Sequence, residues 1–296
     1  MKQQDEKYLK RALMLAQRGG RAVAPNPMVG AVIVKDNVVV GEGYHKEFGG
    51  PHAEVMAINS VKDPADLKDS TLYVTLEPCR HYGKTPPCQE LIDEVGIAKV
   101  ICGSHDPFQR GFGQKFHTFM TGDAAKPYED LNRFYFTWVT KHRPYITVKI
   151  AMSADGFIAG PEGQAVHFTS TIQDKAVHNL RAQHQAILVG SNTVVLDNPR
   201  LTVRYVQGKD PLRIILDSRK KVPRDSKVFA DDNYLHIKKR VSLRDLMKDL
   251  AEKGISSVLV EPGPKLYQAL KEAGLIDELI VLKGKKKIKE GIAIKL

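Results

Sequence analysis

In the first half of the chain, segments whose apolar residues repeat with the period of a helix alternate with segments whose apolar residues repeat with the period of a strand. Residues 5–18 place Leu9, Leu13 and Ala16 on one face, which predicts an amphipathic helix. The stretches MVGAVIV and NVVVGEGY predict two strands of a hairpin that turns at KDN. The pattern then predicts, in order, the helix HAEVMAINSV, the strand TLYVTLE, the helix PCQELIDEVG and the strand AKVICGS.

The same alternation restarts near residue 143, after a helical segment and before Pro144. The predicted strands are HRPYITVKIAMS, QAILVG, LRIILDS, SSVLVE and DELIVLK, and the predicted helices are 171–183, 243–253 and KLYQALKEAG. A chain of 296 residues is long enough for about two domains. We therefore expect two successive α/β domains, residues 1–143 and 144–296, with the boundary around Lys141–Arg143.

Composition narrows the class of protein. Hydrophobic residues make up 42% of the chain, enough to bury a core, and its three cysteines are too few for a disulfide framework. Sparse cysteine is typical of a reducing cytosol. The start, MKQQDEKYLKRALMLAQ, is amphipathic rather than a signal peptide, and the chain has no run of about 18 apolar residues. We expect a cytoplasmic protein with no membrane association.

The net charge of +11 suits anionic partners, from phosphorylated metabolites to nucleic acid, or simply a solvated basic surface. The densest basic run, KGKKKIK at Lys283–Lys289, has no interleaved aromatic residue. It is therefore more typical of a charged turn than of a surface on which bases stack.

The stretch EPCRHYGKTPPC carries the strongest chemical signal. Cys79 follows a predicted strand and Cys88 opens a predicted helix, with eight residues between them. A helix N-terminus favours a thiolate, so this stiff, proline-rich loop can supply half of a zinc site. His52, at the start of the preceding helix, adds a nitrogen ligand. One histidine and two cysteines leave a fourth position open for water, as in catalytic rather than structural zinc sites.

Glu54 lies two residues after His52, close enough to move protons at such a site without being a ligand. The order H-x-E followed by P-C…C is the pattern of zinc nucleobase deaminases, although that pattern has two residues between its cysteines. Each part has an ordinary alternative, since a lone histidine is more often structural and a cysteine pair can hold structural zinc. Together they indicate a deaminase. Cys102, inside an apolar strand, is interpreted as a core residue.

Longer stretches closely resemble the bifunctional deaminase–reductase family of riboflavin biosynthesis. They are APNPMVGAVIV, GEGYH, HAE, TLEPCRHYGKTPPC, RPYITVKIAMSADGFIA, LRAQHQAILVGSNTV, LDNPRLTVR and VLVEPGP, and they span nearly the whole chain. The resemblance implies a cytidine-deaminase-like three-layer α/β/α domain followed by a dihydrofolate-reductase-like α/β domain. It also implies deamination of a phosphoribosylated diaminopyrimidinone, then NADPH-dependent reduction of its ribosyl unit to ribityl.

The resemblance also assigns roles in the first domain. His52, Cys79 and Cys88 match the ligands of one zinc ion per chain, and Glu54 matches the proton donor. Three more positions match substrate contacts: Asn26, His81 and Lys84. Asn26 could instead be a turn residue between two prolines. One departure is the sequence DPFQ at Asp106–Gln109, where the family commonly has Asp-Pro-Asn-Pro.

In the second domain, VEPGPKL follows a strand and opens a helix, where backbone N–H groups can hold phosphate. The resemblance implies that residues 263–269 border NADPH. Its cofactor positions are Ala151, Thr193, Asp197, Ser218, Gly263, Pro264 and Lys265, and its substrate positions are Arg181, Leu201, Arg204 and Glu261. The arginines offer forked binding to a phosphate. The ordinary alternatives are a plain turn at Asp197 and a solvated helix residue at Arg181.

The second domain also departs from the family. Ala165 and His167 stand where a serine and a tryptophan are usual, Pro262 replaces a glycine and Gln185 replaces an aspartate. Pro262 has no N–H group and a fixed φ. The chain also stops at Leu296, short of the family's usual length, so we expect an abbreviated final strand or hairpin. These departures predict a reductase that is altered, weak or inactive.

Three functions compete, in this order. The first is the bifunctional deaminase–reductase, and the second is a pyrimidine deaminase whose other domain serves assembly or substrate binding. The third is a nucleic-acid-binding protein or deaminase, which the basic charge favours but the loop HYGKTPPC opposes. We expect no nucleic-acid partner. The family suggests a homodimer or a larger homo-oligomer.

Overall fold

The structure is a computed structural model that describes residues 3–82, 86–109, 117–164 and 166–294. The chain divides into two compact units between His142 and Arg143. His142 ends a helix in the left-handed conformation, with φ 50°, and Pro144 follows two residues later. A left-handed residue closes a helix, and the residue before a proline is disfavoured in helical geometry, so the division falls where the backbone must change direction.

The first unit contains the N-terminal helices and strands. The helices are α1 (Gln3–Ala16), α2 (Ala53–Asn59), α3 (Cys88–Glu94), α4 (Lys126–Leu131) and α5 (Arg133–Lys141), and the strands are β1 (Gly30–Lys35), β2 (Val38–Tyr44), β3 (Thr71–Leu76), β4 (Lys99–Ser104) and β5 (Thr118–Phe119). The five strands form one sheet in the order β2-β1-β3-β4-β5. The first two pairings are antiparallel and the last two are parallel.

Alternating residues of this sheet face two different layers of helices. Ala31 and Ile33 pack into one buried cluster with α2 and α3, whereas Val32 and Val34 pack into another with α1 and Tyr128 of α4. This is the period-2 pattern of a strand with both faces covered. The first unit therefore has three layers, α/β/α, as expected from the sequence.

Two sequence features shape the edge of this sheet that lies next to α2. Asp36 and Asn37 turn the hairpin with φ values of 48° and 65°, a geometry that Asp and Asn tolerate better than most residues. At Gly43, a Cβ atom would lie 2.4 Å from the backbone nitrogen of Ala57. Glycine is therefore needed for α2 to approach β2 this closely.

The second unit is built on parallel strands. Its strands are β6 (Tyr145–Met152), β7 (Phe157–Ala159), β8 (Ala186–Gly190), β9 (Leu212–Leu216), β10 (Tyr234–Ile237), β11 (Ser257–Val260), β12 (Glu278–Lys283) and β13 (Ile292–Ala293), and its helices are α6 (Thr171–Gln183), α7 (Ser191–Asp197), α8 (Leu243–Glu252) and α9 (Pro264–Glu272). Six strands form a parallel sheet in the order β10-β9-β8-β11-β6-β12. The short β7 and β13 pair antiparallel.

Both faces of the parallel sheet are covered, which explains the near-continuous apolar runs of its strands. One face packs with α8 and α9 into a cluster that includes Met247 and Leu270, and the other packs with Val194 of α7. Because the strands are parallel, the loops that follow β6, β8, β9 and β11 share one edge of the sheet. Ligands of α/β proteins bind at that edge.

The structure confirms every helix and strand predicted from the apolar pattern, with ends shifted by up to three residues. It adds β10 and α7, which are short and carry weak patterns, the two-residue strand β5, and the small pair of β7 and β13. Among the described residues, no helix combines the length and apolarity that a membrane crossing needs.

A partly buried ion pair joins the start of the first strand of the second unit to the loop before its strand β12. The Arg143 guanidinium donates to both carboxylate oxygens of Asp277 at 2.5 and 2.8 Å, and the backbone N–H of Ile146 donates to the same carboxylate at 2.9 Å. We predict that Asp277→Ala lowers the free energy of unfolding of this unit by about 2 kcal/mol, because it leaves a partly buried cation and the Ile146 N–H without their partner. Urea unfolding measures the loss, with the exposed Asp232→Ala as control. A loss below about 1 kcal/mol, the level of a surface pair, would contradict the prediction.

Candidate active sites

Three metal-binding side chains meet at the end of β3 in the first unit. His52 precedes the first residue of α2, Cys79 follows β3, and Cys88 is the first residue of α3. The Nδ1 atom of His52 lies 3.2 Å from the Cys88 sulfur and 3.5 Å from the Cys79 sulfur. Their three ligand atoms all lie within 4.8 Å of one another.

These distances fit a zinc ion. Zinc bonds to nitrogen and sulfur at tetrahedral angles place the two atoms about 3.6 Å apart, close to both nitrogen–sulfur distances here. The thiol and the backbone N–H group of Cys88 donate toward the Cys79 sulfur and, with His52, lower the pKa of Cys79. The same shared hydrogen bond, together with burial, raises the pKa of Cys88. One nitrogen and two sulfurs form the ligand set of an open, catalytic zinc site.

Glu54 lies in the first turn of α2 and is 4% exposed. Burial, followed by the nearby Cys79 charge, raises the pKa of its carboxyl to about 7 in the absence of a metal. Glu54 lines the same cavity as His52 and Cys79. The carboxyl is therefore placed to exchange protons with a molecule bound there.

The cavity has a volume of about 330 Å³ and lies wholly within the first unit. Its apolar wall consists of Phe48, Leu76, Phe108, Trp138 and Val139. Such a wall, together with a few polar groups, is typical of small-molecule sites. His81 also lines the cavity, its ring 5.0 Å from that of Phe108. Lys84, the other expected contact of this loop, lies outside the described residues.

Asn26 lines the cavity and is held by a residue to which the sequence assigned no role. The His45 ring donates from Nδ1 to the Pro51 carbonyl at 2.9 Å, so its Nε2 accepts from the Asn26 amide at 3.2 Å. Burial lowers the pKa of His45, which favours this neutral form. The Asn26 amide thereby has a fixed orientation.

A second polar cluster supports the turn that carries Cys79. Glu77 pairs with Arg80 at 2.6 Å, and Asp106 accepts a hydrogen bond from Tyr135 at 3.1 Å. Gln109 bonds to the backbone of this same turn. Apart from the departure at Asp106–Gln109, the sequence assigned no role to these residues.

The second unit holds a cavity of about 530 Å³ at the carboxyl edge of its parallel sheet. Six expected residues line it: Ala151, Thr193, Asp197, Glu261, Gly263 and Pro264. The first turn of α9, where backbone N–H groups have no acceptor within the helix, borders the cavity. This feature fits the phosphate of a nicotinamide cofactor.

Glu261 is the carboxylate of this cavity with which two neighbouring cations pair. It pairs with Arg181 of α6 at 2.8 Å and with Lys149 of β6 at 3.3 Å. Burial alone would raise the pKa of Glu261, but the two cations outweigh it and lower that pKa to about 2. Arg181, itself 9% exposed, is thus a buried partner of Glu261 rather than a solvated helix residue.

Five expected residues do not line the cavity. They are the buried Arg181 and Leu201 and the exposed Arg204, Ser218 and Lys265. Leu201 has a φ of 57° and is the first residue of the segment 201–204. The backbone N–H of Arg204 donates to His178 of α6 at 2.7 Å, which fixes the segment against the helix.

The departures of the second domain fall in different places. His167 and Pro262 line the cavity, and the exposed His167 ring pairs with Asp174 at 3.2 Å. Ala165 lies outside the described residues. Gln185 is at the opposite, amino end of β8, where its side chain bonds to the backbones of Gly254 and Ser256.

Comparison with known proteins supports the assignment of both units. Residues 2–104 match the family described as "Cytidine and deoxycytidylate deaminase zinc-binding region", and residues 144–284 match "RibD C-terminal domain". The chain is 37% identical to the riboflavin biosynthesis protein RibD of Aquifex aeolicus, over 98% of this chain and 89% of that protein. The chain belongs to the RibD family.

Other RibD-family proteins are also similar to this chain over most of its length. The RibD of Escherichia coli is 37% identical over 94% of this chain and 87% of its own length. A crystal structure from Thermotoga maritima, titled a diaminohydroxyphosphoribosylaminopyrimidine deaminase/5-amino-6-(5-phosphoribosylamino)uracil reductase, superposes with a TM-score of 0.89 at 37% identity, covering 98% of this chain and 89% of that one. Form 1 of Acinetobacter baumannii RibD gives a TM-score of 0.88 at 30% identity, with the same coverage.

Membership of the RibD family confirms the fold class expected from the sequence, a cytidine-deaminase-like domain followed by a RibD reductase domain. Sequence reasoning missed Lys149, His45 and the supporting residue His178. Lys149 and His45 lie in or directly after strands that had been interpreted only as strands. The signal for both was a polar residue in an apolar stretch that resembles the RibD family.

We predict one zinc ion per chain, bound by His52, Cys79 and Cys88. Elemental analysis of wild type and of Cys88→Ser measures it, with Cys102→Ser as the matched control, because Cys102 is a buried free cysteine outside the cluster. The expected result is about one zinc in wild type and in the control and a large loss in Cys88→Ser, since a hydroxyl is a poor substitute for a thiolate ligand. Full zinc in Cys88→Ser would contradict this ligand set.

Proposed function

We propose that this chain catalyses two consecutive steps of riboflavin biosynthesis. The first is zinc-dependent hydrolytic deamination of 2,5-diamino-6-(5-phosphoribosylamino)pyrimidin-4-one, and the second is NADPH-dependent reduction of the ribosyl side chain to ribityl. One observation carries the proposal above all others: the His52, Cys79 and Cys88 cluster opens onto a cavity that also contains Glu54. The match of each unit to one half of the RibD family supports both steps.

In the deaminase cavity, each residue has a role that follows from its position. Zinc, when bound, supplies a Lewis acid that makes water nucleophilic near neutral pH. Glu54 takes the two protons of the attacking water one after the other, and delivers the first to the ring nitrogen and the second to the leaving amine, which departs as ammonia. The Asn26 amide, oriented by His45, donates to and accepts from the edge of the pyrimidine.

The anionic end of the substrate needs hydrogen-bond donors or cations in this cavity. His81 lines the cavity, and Lys84 follows in the same loop. We assign the phosphoribosyl unit to these two residues, because a charge-assisted hydrogen bond to phosphate is stronger than a neutral one. The Cys79–Cys88 loop then has two functions, to supply the thiolates and to hold the substrate.

In the reductase cavity, NADPH when bound supplies the hydride. Thr193, Asp197 and the start of α9 at Gly263 are the groups that we assign to cofactor binding. Lys149 and Glu261 form a paired cation and carboxylate at the cavity wall. Such a pair can orient the sugar and hold a proton near the carbon that is reduced. Arg181 and Arg204 belong to segments fixed to each other and are assigned to the substrate phosphate.

We also propose a substrate class, an assembly state and a location for the protein. We propose that the chain works on a small phosphorylated pyrimidine rather than on nucleic acid, and that it assembles as a homo-oligomer. None of the three cysteines forms a disulfide, which supports a cytoplasmic location. A deaminase with an inactive second domain is the other candidate, and the replacement residues His167 and Pro262 in the cavity wall favour it.

We predict that Glu54→Gln retains zinc and binds substrate but deaminates at least about 100-fold more slowly, because proton transfer contributes that much. Ammonia release and zinc content are measured on the same preparation. Glu47→Gln, an exposed acid in the loop before α2, is the control and should behave as wild type. Near-normal ammonia release by a zinc-loaded Glu54→Gln would contradict the role, and loss of zinc would make Glu54 structural.

We also predict that the second unit binds NADPH but reduces the deaminated substrate slowly. Groups that set the near-attack geometry in the family are replaced, and a small misplacement can cost about 100-fold in rate. NADPH fluorescence titration measures binding, and single-turnover mixing measures reduction. No binding at millimolar NADPH would contradict the first part, and a rate equal to that of a RibD relative assayed in parallel would contradict the second.

Variants that restore the residues usual in the family test whether the replacements slow the reduction. Pro262→Gly and His167→Trp restore the residues usual in the family, and both positions line the cavity. If misplacement limits reduction, the double variant should reduce substrate faster than the parent while NADPH affinity changes less. Gln185→Asp restores a family residue at the amino end of β8, away from the cavity, and should leave the rate unchanged.

A further inference from the structure

The buried side-chain amide of Gln109 forms hydrogen bonds to the backbone before and after Cys79. The Nε2 group of Gln109 donates to the backbone carbonyl oxygens of Glu77 and Pro78, each at 3.2 Å. Its Oε1 atom accepts from the backbone N–H of Arg80 at 2.9 Å. A single amide thus bonds to the backbone on both sides of Cys79. Gln109 is 3% exposed, so these bonds form away from bulk water.

Two polar groups of Cys79 itself, its sulfur and its carbonyl oxygen, accept hydrogen bonds from the start of α3. The Cys88 N–H donates to the Cys79 sulfur at 3.2 Å, and the Gln89 N–H donates to the Cys79 carbonyl oxygen at 3.1 Å. Gln109 and α3 therefore constrain the turn from two sides. The position of the Cys79 sulfur depends on both.

Gln109 is a feature of this chain rather than of the pattern it resembles. It stands where that pattern, Asp-Pro-Asn-Pro, has its second proline, and proline has no side-chain amide to donate or accept. Phe108 occupies the position of the asparagine and packs against His81 at the cavity. The change at Asp106–Gln109 therefore alters both the cavity wall and the support of the turn.

We propose that Gln109 is a positioning residue for the zinc site: its amide holds the Glu77–Arg80 turn so that the Cys79 sulfur is in place before the metal binds. The inference rests on the proposed zinc-dependent deamination. Residues that orient a metal ligand from behind typically change metal affinity by about 10- to 100-fold when they are removed. Loss of the Gln109 amide leaves three backbone groups of the turn to find new partners, which frees the turn to move.

The competing explanation is that Gln109 only stabilises the fold. Asn132 provides a matched control, because it is also a buried amide of the first unit that brackets one piece of backbone. It accepts from the Met28 N–H at 2.8 Å and donates to the Met28 carbonyl oxygen at 3.0 Å. Its removal deletes the same kind of bonds without touching the Cys79 turn.

The experiment compares wild type, Gln109→Met and Asn132→Leu, substitutions that keep most of the side-chain volume and remove the amide. Zn²⁺ affinity is measured by competition with a chromophoric chelator under reducing, anaerobic conditions. The thiolate-to-metal absorption of Co²⁺-loaded protein is recorded beside it, and thermal unfolding of the metal-free proteins measures the fold. None of these readouts depends on turnover.

We expect Gln109→Met to weaken Zn²⁺ binding at least about tenfold and to shift the Co²⁺ absorption, in line with the effect of other supporting residues. Asn132→Leu should lower the melting temperature and leave Zn²⁺ affinity within about threefold of wild type. Gln109→Glu keeps the acceptor but replaces the donor, and should weaken binding at least as much as Gln109→Met.

Wild-type Zn²⁺ affinity in Gln109→Met would overturn the inference, and so would an equal loss in Asn132→Leu, since both outcomes make Gln109 only a stabilising residue. Failure of wild type itself to bind Zn²⁺ would instead contradict the proposed function. If Gln109→Met does not fold, Gln109→Asn provides the same comparison, because its shorter amide cannot reach both sides of the turn.

Discussion

Three metal-binding atoms from three different elements must meet within 4.8 Å, and the first unit is arranged around that requirement. His52 reaches the cluster only because α2 lies tightly against β2, at a distance that requires glycine at Gly43. Cys79 reaches it because β3 is a central strand that ends at this point. Cys88 reaches it because α3 starts directly beside the Cys79 turn. The close packing of α2 and α3 on one face of the sheet is thus also the condition for zinc binding.

In the second unit, side chains from different elements also meet at one point, but they are held together by opposite charges rather than by a metal. Glu261 is a buried carboxylate that would be costly alone, and Lys149 and Arg181 keep it ionised. These three residues come from the loop after β11, from β6 and from α6, so the charges meet only when the parallel sheet and its crossover helix are assembled. In each unit, a polar centre at the end of central strands depends on the packing of the apolar core around it.

Much of this could be predicted from the sequence. The apolar pattern predicted the main helices and strands, and His52, Glu54, Cys79 and Cys88 stood out because few residue combinations can bind zinc and move protons. The short elements β10 and α7 were missed because few of their side chains are buried, only Ile237 in β10 and only Val194 in α7, so neither carries a clear apolar pattern. Arg181 illustrates a different difficulty. Its position in a helix with polar neighbours is equally typical of a solvated residue, and only the structure pairs it with Glu261.

By itself, the sequence determined the class of chemistry, because a thiolate, an imidazole and a carboxylate react according to what they are, and their order along the chain reveals them. The tertiary structure decided how those groups are held. His45 orients Asn26 across 19 positions of sequence, and Gln109 bonds to the turn at Glu77 across 32. Hydrogen bonds of this kind depend on distances of about 3 Å between atoms that are remote in the chain, and no local pattern of residues encodes them.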